Sequence, residues 1–69
     1  MHPLEYVRGL LGTKVQILLR DRREIRGVLR MFDEHLNLMV SDTADEQKTV
    51  QKKEVLFIRS DNFLSIAES

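Results

Sequence analysis

The stretch IRGVLRMFDEHLNLMVSD, residues 25–42, decides the fold. Apolar residues alternate through its first half and again through its second, and the polar cluster Asp33, Glu34, His35 interrupts them. Two period-2 runs joined by a tight polar turn are the pattern of a β-hairpin or a bent strand pair. The chain repeats the pattern in LFIRSDNFLSI, residues 56–66. Both turns carry unusual residues: Asp33, His35 and Asn37 stand at alternate positions in the first, and Arg59, Asp61 and Asn62 fall within four residues in the second.

Outward from this core the strands follow in order. Residues 24–33 predict a strand with Ile25, Gly27, Leu29 and Met31 on one face and Arg26, Val28, Arg30 and Phe32 on the other. Gly27 inside it marks a strong bend, a bulge or a close backbone approach. Leu36, Leu38 and Val40 give the next strand, over 36–42, its apolar face. Upstream, KVQILLR predicts a strand over 14–20, joined to the bent one by the polar turn Asp21, Arg22, Arg23. Further upstream, Pro3 suits a helix start, Leu4, Val7, Leu10 and Leu11 share one helical face, and Gly12 is placed to end it, so a helix is expected over 3–11. Gly9 weakens that helix by about 1 kcal/mol relative to alanine. Downstream, residues 43–48 read as a polar loop, 49–58 as a fourth strand and 63–67 as a fifth. The expected architecture is all-β: a single domain over 1–69 forming a small, strongly bent, five-stranded antiparallel barrel with an N-terminal α-helix.

Composition sets the boundaries of function. At 69 residues with no cysteine, the chain is near the lower limit for a self-sufficient core and has no disulfide to staple it. Such domains often gain stability by oligomerising. No apolar run reaches the roughly 20 residues of a membrane span, and no secretory signal pattern opens the chain, so an intracellular, reducing compartment is expected. Eleven basic residues balance eleven acidic ones. A bulk electrostatic binder of duplex DNA carries a basic excess, so any nucleic-acid contact here is local and built from placed groups. Arg20, Arg22, Arg23, Arg26 and Arg30 read either as a phosphate-binding patch or as a solvated hairpin. Catalysis finds no support: there is no cysteine nucleophile, no glycine-rich phosphate loop and one interior histidine. The same shortage of ligands argues against a metal, and no cofactor is expected.

The residues Gly27, Phe32, Asp33, His35, Asn37, Leu38 and Asp42, followed by Ile58, Arg59, Asp61, Asn62 and Ile66, carry a resemblance to the Sm and Sm-like (LSm) proteins, over essentially the whole chain. Within that family, PLEYVRGLLG and HLNLMVSD are similar to the third subunit type of the eukaryotic rings. The resemblance implies the Sm fold, assembly with copies of itself or with paralogues into a ring of about six to eight subunits, and binding of uridine-rich single-stranded RNA. It implies that His35 and Arg59 sandwich a base, that Asn37 reads its edge, and that Asp33 supports the turn, with Ser60 and Asn62 shaping the other. For a eukaryotic ring the implied RNA is the uridine-rich end of a spliceosomal small nuclear RNA, or messenger RNA bound for decay. The alternatives are an archaeal-type homo-oligomeric RNA chaperone, or a scaffold subunit making no base contact.

The chemistry of the turns supports that assignment independently. Uracil presents an N3 donor beside an O4 acceptor, and a carboxamide offers the complement. A half-turn of the amide would suit cytosine instead, so a second group must fix it. Asp61, which as a carboxylate only accepts, is expected to hold the Asn37 amide. The family pattern has glycine where this chain has Ser60, so Ser60 is expected to strain or shift the second turn.

Overall fold

The computed structural model describes residues 3–45 and 55–69. Helix α1 (Pro3–Arg8) carries Glu5 in its first turn and Arg8 in its last, both favourable to the helix dipole. The helix is shorter than the 3–11 expected. From Leu10 the bonds tighten to three-residue spacing, with Leu10 N–H on the Val7 carbonyl at 2.9 Å and Leu11 N–H on that of Arg8 at 3.2 Å. Gly12, at φ +77°, then turns the chain away. Val7 and Leu10 remain in the core, whereas Leu11, expected on the same face, is 41% exposed because the tightened turn rotates it outward.

Five strands follow: β1 (Lys14–Leu19), β2 (Glu24–Phe32), β3 (Leu38–Asp45), β4 (Leu56–Ile58) and β5 (Phe63–Glu68). They form one antiparallel sheet in the order β4-β3-β2-β1-β5. β1 alternates as expected, with Val15, Ile17 and Leu19 buried. In β2 the alternation of Ile25, Gly27 and Leu29 fails at Met31, which is 60% exposed, while Phe32 turns toward the core. The cause is a register shift against β3 between Leu29 and Met31: an extra residue in one strand reverses every side chain beyond it. A second shift, between Arg26 and Val28, faces Asp42, whose φ is +53°.

These irregularities bend the sheet, and Gly27 sits at the bend. A Cβ there would lie 2.5 Å from Val40 Cγ1 and 2.8 Å from the Ser41 carbonyl, so its role is close approach of β3. β3 begins two residues later than expected, because Leu36 adopts φ +63° within the preceding turn, and it runs on to Asp45 where a loop was expected from 43. β4 begins at Leu56, so Val55 of the expected strand lies outside it, and residues 49–54 of that expectation lie outside the described residues.

The core gathers Val15, Ile17, Leu29, Leu38 and Val40 with Val7 and Leu10 of the helix end, and Ile58 closes it from β4. Tyr6 ties α1 to β5 by donating its hydroxyl to the Ile66 carbonyl at 3.2 Å. Among the described residues, β4 and β5 each pair on one side only, leaving an open strand edge at either end of the sheet. No helix among them is long and apolar enough to cross a membrane.

Candidate nucleic-acid interface

Pairing of Leu38 with Ile58 sets the β2–β3 turn beside the turn that follows β4. The first turn is closed by Asp33 N–H on the Asn37 carbonyl and Leu36 N–H on the Asp33 carbonyl, both 3.1 Å. Asp33 then folds its own carboxylate over the turn. Oδ1 accepts the N–H groups of His35 and Asn37, each at 2.9 Å, and Oδ2 accepts the Asn37 side-chain amide at 2.8 Å. These bonds, the Asn37 backbone N–H foremost and then its side-chain amide, hold the Asp33 carboxyl below its ordinary value of 3.8.

The second turn is a 3₁₀ segment, Ser60–Asn62. Its first N–H, from Ser60, donates to Asn37 Oδ1 at 2.8 Å. A backbone N–H can only donate and an ionised carboxylate can only accept, so Ser60 and Asp33 together determine which end of the Asn37 amide is oxygen and which is nitrogen. What remains on the half-buried Asn37 amide is one N–H and one carbonyl lone pair. That is a donor and an acceptor at fixed positions, the complement of a flat edge carrying an adjacent acceptor and donor.

Two expectations are corrected here. The carboxylate that holds Asn37 is Asp33, not Asp61, because Asp33 lies within the same turn and already faces the amide. Asp61 instead faces Arg59, with 3.4 Å between Oδ2 and Nη2, and gives its main-chain carbonyl to Arg20 Nε. Nor does Ser60 strain its turn. It is absent from the positive-φ residues, and a 3₁₀ segment accommodates serine without the freedom glycine would bring.

Asn37 and Arg59 line the same shallow groove of about 220 Å³, along with Asp33 and the apolar side chains of Met31, Met39 and Phe57. His35 stands outside that lining, 74% exposed, with Nε2 3.5 Å from Glu34 Oε1, and Arg59 is 77% exposed. Both are therefore flat, solvated groups on adjacent turns. Asn62 is structural: its N–H bonds the Arg59 carbonyl at 2.9 Å and its carbonyl accepts Arg20 N–H at 3.0 Å. Sequence reasoning missed Met31 and Phe57 as groove residues and Arg20 as a tether. The first depends on the bulge in β2, which leaves no mark in the alternation. Arg20 was visible within the arginine run, but its partner across the sheet was not. Among the described residues, no group of three acidic, histidine or cysteine side chains is placed to hold a metal.

The model of the LSM domain family matches residues 5–68. The LSM complex subunit lsm3 of Schizosaccharomyces pombe is 38% identical over 94% of this chain and 86% of its own. Among solved structures, a heptameric archaeal Sm protein superposes with a TM-score of 0.83 at 31% identity, covering 94% of this chain and 97% of the other. The Pyrococcus abyssii Sm protein, solved in complex with a uridine heptamer, superposes with a TM-score of 0.84 at 30% identity, each chain covered in full.

Proposed function

Because the chain belongs to the LSM domain family, we propose that it is a non-enzymatic ring subunit that binds uridine-rich single-stranded RNA, one base per subunit at Asn37. The observation that carries this reading is the pinned amide. With Oδ1 bonded to Ser60 N–H and Nδ2 bonded to Asp33, the remaining carbonyl lone pair accepts uracil N3–H and the remaining amide proton reaches O4. Cytosine has an acceptor at N3 and a donor at C4, and would meet two mismatched groups. His35 and Arg59 stack on the faces of the base, a contribution of about 1–3 kcal/mol per base.

One such site binds weakly, and several arranged along a strand bind well through effective concentration. The open edges of β4 and β5 supply the means of assembly, since two unpaired edges of one chain type can join head to tail and close into a ring. Heptamer formation by the similar archaeal Sm protein supports ring closure, and the uridine heptamer bound by the Pyrococcus protein supports the ligand. Similarity to lsm3 favours a place in an LSm complex, acting on spliceosomal small nuclear RNA or on messenger RNA during decay. The archaeal structures, matched end to end, favour a second reading as a homo-oligomeric RNA chaperone.

The test compares oligouridine and oligocytidine binding by wild type and Asn37→Ala, in rings of verified size. Wild type is expected to prefer uridine, and Asn37→Ala to lose that preference together with about tenfold or more in affinity. Unchanged affinity and preference in the variant would leave only a scaffold subunit.

A further inference from the structure

The turn between β1 and β2, residues 20–23, carries three arginines and one aspartate in a chain whose formal net charge is zero. Charge is therefore concentrated here by placement. The turn is fastened to the base-reading region: Arg20 donates its backbone N–H to the Asn62 carbonyl and its Nε to that of Asp61, while the Asp61 carboxylate faces Arg59. Asp61 is thus the joint between the arginine turn and the stacking residue.

The three arginines are engaged differently. Arg20 is the tether. Arg23 folds back on Asp21, giving its N–H to Oδ1 at 3.1 Å and its Nε to Oδ2 at 2.7 Å. Arg22 is exposed, and among the described residues its side chain has no partner. Its backbone sits at φ +73°, where glycine or asparagine is the ordinary occupant. The bonds from Arg22 N–H to the Leu19 carbonyl at 3.0 Å and from Leu19 N–H to the Arg23 carbonyl at 2.8 Å lock it in that conformation. A long cationic side chain held out from a strained, clamped backbone position is an outlier that asks for a ligand.

We propose that Arg22 contacts the phosphodiester backbone of the RNA strand whose base is seated at Asn37, so that the β1–β2 turn supplies charge and the Asn37 turn supplies base choice. This inference rests on the RNA-binding reading above. Guanidinium matches phosphate geometry with paired N–H donors, and such a pairing carries no sequence information. The two contributions therefore separate experimentally.

The assembled protein is titrated with a seven-nucleotide oligouridine and with oligocytidine over a salt series, as wild type, Arg22→Gly, Arg22→Lys and Asn37→Ala. Glycine suits the backbone at this position, so Arg22→Gly is expected to keep the wild-type melting temperature or exceed it. It should bind oligouridine several-fold more weakly at low salt, with the slope of log affinity against log salt shallower by about 0.7 for each phosphate that is no longer neutralised. Its preference for uridine over cytidine stays at the wild-type value. Arg22→Lys restores the salt slope. Arg22→Gly with wild-type affinity and slope, beside an Asn37→Ala that loses base preference, would overturn this inference and leave the uridine reading standing. Absence of uridine preference in the wild type would instead overturn the reading beneath it, and the inference with it.

Discussion

Both carboxylate oxygens of Asp33 are committed within one turn, Oδ1 to two backbone N–H groups and Oδ2 to the Asn37 amide. Removing them in Asp33→Ala leaves the amide held by the Ser60 N–H alone, and the expected outcome is a partial loss of uridine-over-cytidine discrimination, up to about tenfold, measured by competitive binding. Protonation tests the same bonds without a substitution. The folded Asp33 carboxyl titrates below its ordinary value of 3.8, so the stabilisation it gives is present above that value and is lost as pH falls through the lowered one. The pH-dependent movement of the Asn37 side-chain amide resonance should therefore have its midpoint below 3.8; a midpoint at or above 3.8 would contradict the assignment. The backbone hydrogen bonds by which Asp33 supports its turn were legible in the sequence, because the residues they join fall within that turn. The Asp61 assignment failed for the converse reason: it needed the relative depth of two turns on different strands, which the Leu38–Ile58 pairing sets and no local pattern reports.

At the scale of elements, the bend in β2 decides where the site can form. Gly27 lets β3 pass close enough for the β2–β3 turn to meet the 3₁₀ turn, and a methyl group there would collide with both Val40 and the Ser41 carbonyl. Gly27→Ala is expected to cost about 1–3 kcal/mol, read as a lowered denaturation midpoint, because part of the obstacle is backbone that must shift. Wild-type stability in that variant would mean that the strands separate freely. The succession of strands along the chain and the buried face of β1 were readable from period-2 alternation, and the bend from a glycine inside a strand. Met31 and Leu11 were not, since a bulge and a tightened helix end each reverse or rotate side chains without altering the apolar count. Leu36 shows the same limit: its apolar side chain continues the alternation of Leu38 and Val40, while its φ of +63° places it in the turn.

Among the described residues, the whole molecule is a small core with two open strand edges and exposed apolar side chains on its surface, Phe57 at 75% and Leu64 at 45% among them. A chain of this size gains stability by covering such surface, and head-to-tail closure covers every copy equally. In the sequence, chain length and the lack of cysteine pointed to assembly and the family resemblance implied a ring; the strand order leaves β4 and β5 as the open edges among the described residues. Native mass spectrometry of the purified chain, with oligouridine and with oligocytidine of equal length, tests assembly and base reading together. One discrete ring that retains oligouridine and releases oligocytidine at the same concentration is the expected result. A ring that holds both oligonucleotides equally, or neither, would contradict base reading by Asn37.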